Sequence, residues 1–146
     1  MYLSAYLDRI GHRGDTAPTF DTLRAVHRAH LIAIPYENLD IHLGRTLSLD
    51  LPAIYDKLVT GRRGGWCYEM NGLLAWALRE MGFRVSLLSS AVAPSTAEER
   101  LLRDHLLLRV DLDQPYLADV GFGNGLLDPV PLAEGEHAQG FLTYRL

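Results

Sequence analysis

Arg62-Arg63-Gly64-Gly65-Trp66-Cys67-Tyr68-Glu69-Met70-Asn71-Gly72 holds the only cysteine of the chain and the point where its apolar spacing turns helical. From there Met70, Leu73, Leu74, Ala77, Leu78 and Met81 recur at helical intervals, the stripe of a helix buried on one face. Gly82 supplies the stop. Cys67 lies three residues ahead of Met70, so it shares the inward face and falls in the first helical turn. Free N–H groups and the positive dipole end at a helix start favour a thiolate. The two glycines before it let the chain turn sharply and let another group approach the backbone closely. The competing reading is an inert buried thiol, because free cysteine is among the most buried residue types.

Outward from that stretch, the 146 residues are 48% hydrophobic and 22% charged, an ordinary globular composition with enough chain for a sizeable core. A single cysteine excludes an intrachain disulfide and suits a reducing, cytoplasmic setting. The start, Met1-Tyr2-Leu3-Ser4-Ala5, lacks the basic and apolar regions of a signal peptide, and no apolar run reaches membrane-spanning length. The net charge is −4 with no basic run, which argues against nucleic-acid or membrane partners. Of 14 basic residues only Lys57 is a lysine, a bias that suits fixed planar ion pairs.

Upstream, Leu3, Tyr6, Leu7 and Ile10 form one stripe ended by Gly11, and Thr19 caps a second helix that stops before Pro35. His27 and His30 stand at i, i+3, a spacing compatible with a metal, but no third ligand is near them, so no metal is expected. Pro35 to Asp40 reads as a polar loop and Thr46-Leu47-Ser48 as a short extended piece. Asp50 caps a helix through about Val59, with Pro52 tolerated in its first turn. Downstream of Gly82 the period changes to that of strands, at about 83–92, 104–111 and 116–120, with a last one over 139–146. Residues 94–100 read as a polar loop, and Gly121 to Gly125 as another. Helices followed by antiparallel strands argue an α+β fold. It divides into a helical bundle over residues 1–82, carrying Cys67, and an antiparallel β unit over residues 83–146.

A thiol nucleophile needs a base, and the base needs an orienting group. The second strand carries His105 and the third carries Asp119, each among apolar residues. The short turn between these strands makes them pair, which brings the two side chains within one or two pairing positions. A His and an Asp in such surroundings are costly unless they satisfy each other. A buried structural pair is one reading; the other adds Cys67 as the third member.

Arg63 to Asn71, Pro35-Tyr36-Glu37-Asn38-Leu39, Asp104-His105 and Asp119-Val120-Gly121-Phe122-Gly123 together resemble the signature segments of the arylamine N-acetyltransferases, in register along essentially the whole chain. That resemblance implies a Cys67–His105–Asp119 triad in a cysteine-protease-like thiol-enzyme architecture. It also implies acetyl-coenzyme A as donor, and an arylamine, arylhydrazine or N-hydroxyarylamine as acceptor, as in xenobiotic metabolism. Transfer would run by a ping-pong route through an acetyl-cysteine. It implies a structural ion pair between Glu37 and Arg63, and no metal. Tyr36, Tyr68 and Phe122 become candidates for the substrate pocket, and Phe122 and Gly123 for coenzyme A contact. The sequence departs from the family in length, being about half as long, with a partial β-barrel and no following α/β domain. Self-association, or association with its own C-terminal half, is therefore expected. Two alternatives stay open: another Cys-His-Asp thiol enzyme, transglutaminase-like or protease-like, and a catalytically inactive fragment that only binds or assembles.

Overall fold

In the computed structural model, which describes residues 1–92, 96, 98, 101 and 103–146, five α-helices and one π-helical turn precede six strands among the described residues. Helix α1 spans Leu3–Ile10 and α2 spans Phe20–Ala33. The Thr19 hydroxyl accepts the Thr22 N–H at 3.3 Å, which satisfies one of the orphan donors at the start of α2. Helix α5 spans Cys67–Glu80, and Met70, Leu73, Leu74, Ala77, Leu78 and Met81 are all buried, as their spacing requires. The expected polar loop over 94–100 falls mostly outside the described residues.

Strands β1 (Arg84–Ser90), β2 (His105–Asp111), β3 (Pro115–Ala118) and β4 (Val130–Pro131) form one antiparallel sheet in chain order. Leu87 faces Leu108 across β1–β2, and Leu108 faces Ala118 across β2–β3. Alternation then sorts the side chains. Leu108, Val110, Tyr116 and Ala118 join the main core with α1, α2 and α5. Leu107 and Leu117 point the other way, into a smaller cluster with Leu126, Val130 and Tyr144. The main core thus draws on residues from both sides of position 82.

Four local expectations change. Residues 35–40 do not stay irregular: Leu39–His42 form a short helix, α3. Thr46-Leu47-Ser48 belongs to no strand. The helix expected over 50–59 is α4, Leu51–Tyr55, followed by a π-helical turn, Asp56–Thr60. There the Gly61 N–H reaches back five residues to the Asp56 carbonyl at 2.7 Å, and Lys57 sits in the widened turn. The last stretch is a hairpin, not one strand: β5 (Glu136–Gln139) pairs with β6 (Leu142–Arg145) around Gly140-Phe141, with Gly140 at φ 63°. A two-residue hairpin turn needs positive φ at its first central position, and glycine adopts it freely.

Candidate active site

Cys67 opens α5, with Trp66 as the residue before the first turn. What holds that helix start is charge. The Glu69 carboxylate accepts the Trp66 N–H at 3.2 Å and the Lys57 ammonium at 2.7 Å. Lys57 also meets Asp40 at 2.9 Å, and Arg63 bridges Asp40 at 3.0 Å to Glu37 at 2.7 Å. Asp40 lies at the centre, and Arg63 first, then Lys57, hold its carboxyl well below the usual range. The paired glycines serve the same junction. A Cβ on Gly64 would lie 2.1 Å from the Pro35 carbonyl oxygen, so residues 35–37 can run beside Gly65 only where a side chain is missing. The close neighbour allowed by Gly64 is therefore the chain itself.

On the other side of α5 stand His105, the first residue of β2, and Asp119, one residue past β3. The His105 Nε2 lies 2.8 Å from Asp119 Oδ2, and both side chains are buried. The β2–β3 register ends with Leu108 opposite Ala118, so Asp119 leaves the ladder one residue later, on the side of β2 where His105 stands. Nε2 is engaged by the carboxylate, and the Cys67 thiol, whose S–H reaches the Asp104 carbonyl at 3.7 Å, is the second group that acts on the imidazole. Burial alone would lower the imidazole pKa; the Asp119 carboxylate and then Cys67 outweigh it and raise it to about 9. Burial likewise acts to raise the Asp119 pKa, but His105 and Asn71 override it and hold the carboxyl below its ordinary range.

Asn71, one turn after Cys67 and fully buried, completes the geometry of the carboxylate. Its amide donates to Asp119 Oδ1 at 2.8 Å and to the Leu106 carbonyl at 2.7 Å, while its own oxygen accepts the Val120 N–H at 3.0 Å. Asp119 Oδ1 also accepts the Gly121 N–H at 2.8 Å. The loop passes so close to α5 that a Cβ on Gly121 would sit 2.6 Å from the Cys67 Cα.

Cys67 and His105 open onto one pocket of about 330 Å³, which Tyr36, Trp66, Gly121 and Phe122 also line. The Phe122 ring stands edge-on to the imidazole, centroids 5.3 Å apart. Of the residues singled out in the sequence, Cys67, His105, Asp119, Tyr36 and Phe122 gather at or against this pocket. Glu37 and Arg63 pair behind it. Tyr68 and Gly123 do not line it: the Tyr68 hydroxyl donates to the Arg103 carbonyl at 2.6 Å, and Gly123 is a turn residue at φ 80°. His27 and His30 are buried, and His27 contacts the Asp119 backbone. Among the described residues no group of three or more His, Cys, Asp or Glu side chains is placed to hold a metal ion, and no helix is long and apolar enough to cross a membrane.

Sequence reasoning passed over Asn71, Asp40, Glu69 and the link from His27 to Asp119. Glu69 stands three residues after Trp66, the spacing of a capping carboxylate. Asn71 stands four after Cys67, hence on the same face. Those two signals were present in the sequence. Nothing local connects His27 to Asp119.

A family model described as N-acetyltransferase matches residues 19–146. The pineal gland isozyme of arylamine N-acetyltransferase from Gallus gallus is 43% identical over 141 residues, covering 93% of this chain and 49% of that protein. The structure of arylamine N-acetyltransferase from Salmonella typhimurium superposes with a TM-score of 0.90 at 41% identity, covering 98% of this chain and 53% of that one. The Mycobacterium marinum arylamine N-acetyltransferase in complex with CoA also gives a TM-score of 0.90, at 42% identity, over 99% of this chain and 56% of that one. The chain spans about half the length of the curated relatives it matches.

Proposed function

The chain belongs to the arylamine N-acetyltransferase family, and on that premise we propose that it carries the reacting groups for acetyl transfer from acetyl-coenzyme A to an arylamine, arylhydrazine or N-hydroxyarylamine. The observation that carries this reading is the contact of His105 Nε2 with Asp119 at 2.8 Å, beside a pocket that His105 shares with the Cys67 thiol. Cys67 is the nucleophile, His105 the base and Asp119 its orienting group, in a cysteine-protease-like arrangement of helix start and adjacent strands. Residues 1–82 supply the nucleophile and residues 83–146 the base and carboxylate.

The first half-reaction starts from the imidazolium form of His105, with the thiol proton already on Nδ1 and with Asp119 accepting from Nε2–H and stabilising the cation. The sulfur attacks the acetyl carbonyl of the thioester. As the tetrahedral adduct collapses, the carbon–sulfur bond to coenzyme A breaks, and His105 returns its proton to the departing thiolate. This exchanges one thioester for another, so the step is nearly balanced. In the second half-reaction the amine attacks the acetyl-cysteine, His105 accepts the amine proton, and the carbon–sulfur bond to Cys67 breaks, which restores the starting pair of sulfur and imidazolium. Backbone N–H groups in the first turn of α5 are candidates for stabilising the oxyanion. Tyr36 and Phe122 offer aromatic walls for a flat acceptor. The Salmonella typhimurium relative is named both arylamine N-acetyltransferase and N-hydroxyarylamine O-acetyltransferase, which agrees with the acceptor range proposed.

The test uses a compact activated donor, para-nitrophenyl acetate, with acetyl-coenzyme A in parallel. Intact-mass and peptide analysis should find one acetyl group on Cys67, and added arylhydrazine should remove it as the acetyl hydrazide. A Cys67 that alkylates with iodoacetamide yet takes an acetyl group from neither donor would overturn the reading.

A further inference from the structure

The Asp119 carboxylate is held by His105 and Asn71, but its backbone is held by a residue far away in the chain. His27, in the middle of α2, is fully buried. Its ring meets main-chain atoms at both nitrogens: Nε2 lies 3.2 Å from the Asp119 nitrogen and 3.1 Å from the Asp119 oxygen, and Nδ1 lies 3.2 Å from the Leu127 carbonyl oxygen. One tautomer satisfies these contacts best. With the proton on Nδ1, the ring donates to Leu127 and accepts the Asp119 N–H at Nε2. With the proton on Nε2, the ring donates to the Asp119 oxygen, but the Nδ1 lone pair then faces the Leu127 oxygen and the Asp119 N–H loses its acceptor. A doubly protonated ring would set a donor against the Asp119 N–H. Burial lowers the ring's pKa to about 4 despite Leu127 and the carboxylates of Asp119 and Asp128, so it is neutral at ordinary pH. The titratable groups that act with it are Asp119, Asp128 and His30.

The position of the contact gives it its consequence. The β2–β3 ladder ends at Ala118, so no strand neighbour takes the Asp119 N–H. Between Asp119 and Leu127 runs the loop that carries Gly121 against Cys67 and Phe122 against His105. One ring therefore ties both ends of that loop to α2. The next two N–H groups, of Val120 and Gly121, are fixed by Asn71 and by Asp119 itself.

We propose that neutral His27 is a positioning residue for the Asp119–His105 pair, setting the backbone from which the carboxylate reaches the imidazole. The proposal rests on reading that pair as the proton relay of Cys67. It predicts that losing the Nε2 acceptor lets Asp119 shift, weakens its contact with His105 and lowers the proton affinity of His105.

Three variants of this chain, His27→Leu, His27→Gln and His27→Asn, test the idea, with the His105 imidazole titrated by NMR. Glutamine places its amide oxygen about where Nε2 lies, whereas the asparagine amide reaches only the Nδ1 position. The expected result is a His105 midpoint lowered by about one pH unit or more in His27→Leu and His27→Asn, and restored to within about 0.3 unit in His27→Gln. A purely structural role would lower thermal stability in all three without separating glutamine from asparagine in the titration. Should His27→Leu fail to fold, the glutamine–asparagine pair decides. Unchanged midpoints in folded Leu and Asn variants, or a Gln variant shifted as far as Asn, would overturn the proposal. The readout requires no acetyl transfer, so a chain that shows these shifts yet never acetylates Cys67 overturns the proposed function alone.

Discussion

The two sides of the α5 start are held by opposite means. Behind Cys67, toward residues 35–63, the bonds are multivalent ion pairs: Lys57 with Glu69 and Asp40, Arg63 with Asp40 and Glu37, and Arg45 with Asp40. Several of these groups keep water contact; the Arg63 side chain is 37% exposed and that of Arg45 is 58% exposed. In front of Cys67 the side chains are nearly sealed, with Asn71 and His27 at 0% and His105 at 5%. Here a single carboxylate, Asp119, meets the Asn71 amide, the Gly121 N–H and the His105 imidazolium, while neutral His27 holds its main chain. The contrast follows from desolvation. Clustered charges are tolerable where water remains near, whereas a sealed pocket admits one ion pair only when its remaining lone pairs are met by neutral donors. The charged side fixes where the helix begins. The neutral side fixes how one carboxylate points.

The largest expected effect lies at the point where the two sides meet. Cys67→Ser should lower acetyl transfer at least about a hundredfold while leaving the fold intact, because an alcohol is a far weaker nucleophile near neutral pH. Circular dichroism and single-turnover acetylation measure the two halves of that statement. A serine variant within about tenfold of the parent rate would mean that the covalent route is wrong.

Next come paired substitutions that set front against back. Asn71→Leu removes the donor to Asp119 and strands the Val120 N–H and the Leu106 carbonyl. It should cost ~2–4 kcal/mol in chemical denaturation and slow Cys67 acetylation by about tenfold or more. Lys57→Met leaves Glu69 and Asp40 without their shared cation. It should cost ~1–3 kcal/mol yet change the acetylation rate by less than about threefold. Equal slowing by both would break the division of labour drawn above.

A glycine pair sharpens it further. Gly64→Ala meets a backbone carbonyl on the charged side and Gly121→Ala meets the Cys67 backbone on the neutral side, so each should lose ~1–3 kcal/mol. Only Gly121→Ala should also alter the iodoacetamide reactivity of Cys67, since only its clash falls on the nucleophile.

The smallest effect is in the pH dependence of stability. His105 has its pKa raised to about 9, so the stability it contributes is fully present below its unfolded value near 6.5 and is lost as pH rises through about 9. His27 has its pKa lowered to about 4, so its neutral burial removes stability as pH falls from 6.5 toward about 4. Denaturation midpoints should therefore fall on both sides of pH 6.5. His105→Gln should flatten the alkaline limb and leave the acid limb unchanged; an alkaline slope that survives in that variant would assign it to another group.

What could be read from the sequence alone was whatever is written in local period and capping. The α5 stripe from Met70 to Met81, the Thr19 cap and the alternation of β2 each depend on neighbours a few residues apart. The closeness of His105 and Asp119 followed from one short turn. Local rules were less secure where one extra residue or one glycine redirects the chain, as in the π turn at Asp56–Thr60 and the hairpin at Gly140. Only the tertiary structure decided which distant groups satisfy the buried ones. Lys57 meets Glu69 across 12 positions, Asn71 meets Asp119 across 48, and His27 meets Asp119 across 92. Such partnerships have no local periodicity because they arise from the packing of whole elements. Once α2, α5 and the sheet share one core, sealed polar groups such as the Asp119 and Val120 N–H are satisfied by whatever that packing has brought beside them.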